Sequence, residues 1–95
     1  MKGIAIGLSN NSKEILKRLK KTEFVKEIYI AGSSKENEKA NQLIQVQKPK
    51  EILIKKWPEI DLIIFVGSIA ASLRIINTFL TSKDQDPGVI VIDNK

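Results

Sequence analysis

Apolar residues in this chain follow two spacings, and the switch between them marks the elements. Leu62, Ile63, Ile64, Phe65 and Val66 form an unbroken apolar run, the pattern of a strand covered on both faces in a parallel sheet. Gly67 and Ser68 interrupt it. From Ile69 the spacing is helical, with Ile69, Ser72, Leu73, Ile76, Phe79 and Leu80 on one stripe and Arg74, Thr78 and Thr81 opposite. A polar corner from Ser82 to Gly88, in which Pro87 cannot continue a helix, leads into Val89 to Ile92, which reads as a second strand of the buried type. This is a βαβ unit, expected to have a right-handed crossover.

The earlier residues build toward that unit. Gly3 to Ile6 predict a first strand, and Asn11 reads as a helix N-cap with Glu14 at the capping-box position. The helix that follows has Ile15, Leu16 and Leu19 as its apolar stripe, and Lys17, Arg18, Lys20 and Lys21 crowd its outer face and last turn, where cations suit the helix dipole. Glu27 to Ala31 predict a second strand. Residues 33 to 42 are polar without a convincing period, and Leu43 to Val46 read as a short edge strand. Pro49 fits the first position of a helix running to Trp57, with Ile52 and Leu53 inward and Pro58 as its stop. The whole predicts one α/β domain over residues 1–95: a three-layer sandwich on a mostly parallel four-stranded sheet, flavodoxin-like.

Composition narrows the chemistry. The 95 residues contain neither cysteine nor histidine, which removes disulfides, thiolate chemistry, the usual neutral-pH base and the commonest metal ligand. No protein-bound metal is expected. No apolar run nears the roughly 20 residues that span a bilayer, and Met1-Lys2-Gly3 leads straight into a strand, so a cytoplasmic protein without membrane contact is expected. The net charge of +5 is uneven: residues 1–60 hold 13 basic and 7 acidic side chains (+6), and residues 61–95 hold 3 and 4 (−1). The lysines are scattered and only five aromatics could stack on bases, so a solvated basic surface is expected rather than a nucleic-acid interface.

In an open parallel sheet, ligands collect beyond the carboxyl ends of the strands, where residues 7–12, 32–36 and 67–72 converge. The loop 7–12 lacks both the Gly-Lys-Ser/Thr ending of a phosphate loop and the paired glycines of a dinucleotide fingerprint. Ser68, Ala70 and Ala71 open a helix whose N–H groups favour a carboxylate, although a plain turn capped by Ser68 explains the same residues. Arg74, off the apolar stripe, reads as a solvated arginine on the sequence alone. Lys83 and Asp86 lie in a helix-to-strand corner, where turn chemistry accounts for them before any role in a site. Asp61 and Asp93 flank strands as local caps.

The stretch from Asp61 to Asp93 also resembles the N-terminal domain of the cobalt-precorrin-5A hydrolase family, cobalamin biosynthesis protein G. That family's pattern is an apolar strand, Gly-Ile-x-Val-Arg, a helix ending in Ser-Lys, two residues, Asp-Pro, a run of valines and Asp. Here Phe65-Val66 closes the strand, Ala70-Ala71-Ser72-Leu73-Arg74 stands at the Gly-Ile-x-Val-Arg position, Ser82-Lys83 ends the helix, Asp86-Pro87 follows, and Val89 to Asp93 completes the pattern. The family's glycine is Ala70 in this chain. Members continue into Ile-Pro-Leu-Leu-Ser-Gly-His and a Gly-Gly-Ala-Asn segment, whereas this sequence stops at Lys95, so a fragment or a part of a larger assembly is expected.

The resemblance implies anaerobic vitamin B12 biosynthesis: opening of the ring A lactone of cobalt-precorrin-5A to give cobalt-precorrin-5B and acetaldehyde. It further implies a corrinoid substrate that carries its own cobalt, so that no separate cofactor is needed, and Ser68, Ala70, Ala71, Arg74, Lys83 and Asp86 as substrate-binding positions. Other domains of the same protein, a partner subunit or a second copy are the expected partners. No residue is singled out as the catalytic base, and a corrinoid-binding module that works with a partner chain is the alternative.

Overall fold

A computed structural model describes residues 2–31, 44–46, 48–80 and 86–93. The strands are β1 (Gly3–Gly7), β2 (Val25–Ile30), β3 (Ile44–Val46), β4 (Leu62–Val66) and β5 (Gly88–Ile92), and the described helices are α1 (Lys13–Lys20), α2 (Pro49–Lys56) and α3 (Ile69–Ile76). All strand pairs are parallel, in the order β3-β2-β1-β4-β5. The four long strands alone run second, first, third, fourth, which is the flavodoxin-like arrangement, and the short strand anticipated near residue 44 adds a fifth at the edge.

The apolar runs become strands because both faces of the sheet are covered. One face carries Ile4, Ile6, Tyr29, Ile63 and Phe65 against Ile52 and Leu53 of α2 and Ile76 of α3. The other carries Ala5, Val25, Ile28, Ile30, Ile64 and Val66 against Leu16 of α1. Helices on the two faces make the three layers expected.

Four local expectations need correction. Asn11 is not the N-cap of α1: residues Asn10–Ser12 form a 3-10 turn, and the N-cap is Ser12, without a side-chain capping bond. Its buried hydroxyl instead donates to the Val66 carbonyl, 3.0 Å away and across the sheet. Second, α3 ends at Ile76, with Asn77 as its C-cap, short of Leu80. Third, the buried stripe of α3 is Ser72 and Ile76, with Ile75 and Phe79 partly buried, while Ile69, Leu73 and Leu80 are about half exposed. Fourth, β5 is not buried: Gly88, Val89 and Ile90 are exposed and Val91 and Ile92 half-buried, because among the described residues β5 is an edge strand that pairs only with β4. An unbroken apolar run specifies a strand but not its distance from the sheet's centre.

Pro49 does occupy the first position of α2, and Ile52 and Leu53 point inward. Ser82 and Lys83, read as the end of a longer helix, lie outside the described residues, as does most of the polar corner.

Candidate functional site

The chain reverses direction across the sheet between β1 and β4: β2 and β3 lie to one side of β1, β5 lies beyond β4, and the helices divide accordingly between the faces. The loops leaving these two central strands lie side by side at this switch point, the place where ligands bind in such folds.

The switch point is tightly stitched. The Leu8 N–H donates to the Val66 carbonyl (2.9 Å), which also accepts the Ser12 hydroxyl, and the Gly67 N–H donates to the Ile92 carbonyl (2.9 Å). Gly67 has φ +159°, and a Cβ there would lie 2.8 Å from Leu8 Cβ, so only glycine lets the two loops approach this closely. Leu8 and Ser12 were not singled out from the sequence. The available signal was one leucine inside an otherwise polar turn.

Ser68 takes the N-cap of α3 in extended conformation, and its Oγ accepts the Ala71 N–H at 3.1 Å. Ser72 ties back by donating its hydroxyl to the Ser68 carbonyl (2.9 Å). The Ala71 amide is thus engaged by the cap, and the amides of Ile69 and Ala70 belong to the first turn, where a helix supplies no partner of its own. Ala70 and Arg74 are exposed and four residues apart, on one helical face away from buried Ser72. Long helical side chains tend to lean toward the helix amino terminus, a tendency that brings Arg74 within reach of the small Ala70 and the helix start. Ser68, Ala70, Ala71 and Arg74 therefore share one region. It combines a helix start and a guanidinium, groups suited to a carboxylate.

Asp86 is elsewhere. It precedes β5, at the amino end of the sheet, and a five-residue strand separates that end from Ser68 by roughly 16 Å. Its carboxylate accepts from Trp57 Nε1 at 3.4 Å, and Trp57 lies against Phe79 with ring centroids 5.4 Å apart. Asp61 is at the same end, where its Oδ2 accepts the Lys2 N–H (2.8 Å) and its carbonyl the Gly88 N–H (2.9 Å). Lys83 lies outside the described residues.

The most perturbed ionisable groups are also structural. The Tyr29 hydroxyl donates to Glu27 Oε1 (2.9 Å), and Lys56 Nζ stands 3.2 Å from the same oxygen. Burial raises the Glu27 carboxyl, but the Tyr29 hydrogen bond and Lys56 outweigh it, and the net shift is downward from 4.5. Burial, with the neighbouring carboxylate, pushes the Tyr29 phenol upward. A depressed carboxyl stabilises the fold above its unfolded pKa, and that contribution is lost as pH falls through the folded value. Glu27→Gln is therefore expected to reduce the slope of stability against pH below about 4.5, at constant salt, in urea titrations. An unchanged slope would place the acid sensitivity in other carboxyls.

Among the described residues, no helix is long and apolar enough to cross a membrane. The family model described as cobalamin synthesis G N-terminal matches residues 51–95, which take in α2, β4, α3 and β5. No curated protein and no solved structure matched the chain. Residues 51–95 are thus similar to the cobalamin synthesis G N-terminal family, the one their strand-helix-strand pattern resembles, and that family points to cobalamin biosynthesis.

Proposed function

We propose that this domain binds the corrinoid substrate of a cobalt-precorrin-5A hydrolase, the cytoplasmic enzyme that opens the ring A lactone and releases acetaldehyde. The observation that carries this reading is the family match over residues 51–95, which covers α3 with Ala70 and Arg74 on its open face. A corrinoid at this stage of synthesis is hung with acetate and propionate groups. The amides at the start of α3 and the Arg74 guanidinium are donors suited to such carboxylates, and a guanidinium can bind one through two parallel hydrogen bonds.

Lactone opening needs a base to activate water and donors for the oxyanion that develops on the carbonyl. Amides and cations of this domain supply the second requirement. These 95 residues contain no histidine, so the base is a carboxylate or belongs to a partner domain or chain. That composition favours a binding role for this domain within a larger catalytic assembly.

The test is titration of the domain with cobyrinic acid, a polycarboxylate corrinoid, followed by its absorbance. Wild-type protein is expected to bind, and Arg74→Lys to weaken binding by about 1 to 3 kcal/mol, since a point charge cannot replace the bidentate pair. Arg74 is exposed, so stability should change by less than about 0.5 kcal/mol. Equal binding by both proteins would remove Arg74 from the site.

A further inference from the structure

We propose that the open edge of β5 is a homodimer interface, at which two copies of the chain pair their β5 strands antiparallel and join their sheets into one. The first observation is the state of that edge among the described residues, where no strand pairs with β5 on its outer side. The Gly88 N–H and the Ile92 carbonyl bond toward β4, and alternation along a parallel strand leaves the N–H and C=O groups of Val89 and Val91 directed outward. An edge is commonly protected by charge, proline or a bulge. The strand Gly-Val-Ile-Val-Ile contains no charge or proline and pairs with β4 without a register shift.

The side chains around the edge are apolar on both faces. Val91 packs with the α3 side and Ile92 with the α1 side, so Val89 (38% exposed) is on the α3 side and Ile90 (47% exposed) on the other. The exposed residues of α3 continue the surface. Phe79 leans on Trp57 of the turn that follows α2, and Ile69 and Leu73 lie on the flank of α3 away from that contact, the β5 side of the layer, with Leu80 exposed beyond the helix end. The result is an apolar ledge of four side chains on the α3 face, with Ile90 on the other face, in a chain otherwise rich in surface lysine.

The occupant is a second copy because the ledge is self-complementary and nearly neutral. A twofold axis through Ile90, normal to the sheet, sets Val89 against Val91 of the second copy in a hydrogen-bonded pair and Ile90 against its own equivalent in a close non-bonded pair. It also keeps both α3 flanks on the same face. Shifting the axis to Val91 would put Val89 opposite Asp93, and shifting it to Val89 would put Ile90 opposite Gly88 and Val91 opposite Pro87, so the apolar pairing selects one register. Residues 61–95 carry a net charge of −1, whereas residues 1–60 carry +6, so this contact joins the weakly charged halves and leaves the basic halves outermost.

The experiment is sedimentation equilibrium of the 95-residue chain at several concentrations, combined with amide hydrogen exchange. The wild-type protein is expected to approach twice the mass of a single chain, with protection at the Val89 and Val91 amides that is lost on dilution. Ile90→Lys, which places two ammonium groups at the axis, should raise the dissociation constant at least tenfold; Leu73→Lys, on the exposed flank of α3, should also weaken the dimer, and serves if the strand variant fails to fold. A wild-type monomer at all concentrations, or a dimer in which Val89 and Val91 exchange freely, would overturn the proposal. Neither outcome depends on corrinoid binding.

Discussion

Replacing Phe65 by alanine is expected to destabilise the domain by about 3 to 5 kcal/mol, the largest effect of any single truncation considered. Phe65 is the bulkiest of the fully buried side chains and sits in β4, which has β1 on one side and β5 on the other. It packs in the cluster that joins Ile4 and Ile6 of β1 to Leu53 of α2 and Ile76 of α3. Truncation leaves a cavity that elements on both sides cannot easily close, since each is fixed by its own strand pairing or helix. A domain of this size is stable by about 5 to 15 kcal/mol in total, so much of the margin would disappear. Urea denaturation measures it, with Ile54→Ala as reference: that side chain is 68% exposed and its loss should cost under about 0.5 kcal/mol. Comparable midpoints for the two variants would mean that the core does not close around β4.

Gly67→Ala is expected to cost about 2 to 4 kcal/mol and to disturb ligand binding as well, because the added methyl group meets the neighbouring loop and the backbone is in a region that favours glycine. The new Cβ would lie 2.8 Å from Leu8 Cβ and 3.2 Å from Leu8 Cδ1. Either the β1 loop moves away or Ser68 and the start of α3 do. Leu8→Ala in the same chain removes Cδ1 but not Cβ, so it should recover only part of the loss; full recovery would mean that the strain resides in the leucine's outer carbons. Thermal unfolding of the single and double variants separates these outcomes.

Most of the central sheet was legible because its residues state one requirement repeatedly. The runs Ile4 to Ile6 and Leu62 to Val66 have no polar residue to place toward solvent, so both faces must be covered, and both are. Burial at the margins was not legible. Val89 and Ile90 have the same composition as the central strands, but no further strand lies beyond them among the described residues, and a periodic pattern does not encode position within a sheet. The α3 stripe was misplaced for a related reason: Ile69 and Leu73 match the helical period as well as Ile75 and Phe79 do, and contact with Trp57 decides which flank turns inward. At the candidate site, the Ser68 cap was readable from the residue type at the end of a strand. The pairing of Gly67 with Leu8 spans loops far apart in the chain, and a leucine within an otherwise polar turn does not say what it packs against.

The pairing of β1 with β4 also bears on what can exist as an independent piece. Lys2 and Asp61, joined at the foot of these strands, are separated by 59 positions in the chain. The family match begins at residue 51 and so includes β4 and β5 but not β1, which flanks β4 on its inner side. A polypeptide cut to the matched boundaries would expose Ile63 and Phe65 along a bare inner edge and would lose the Ile4 and Ile6 side chains that help to cover that face. A segment limited to residues 51–95 is accordingly expected not to fold by itself. The slow step in folding the whole domain should be closure of the long loop between the first and fourth strands, with the β4-α3-β5 unit covered only once β1 has paired with it.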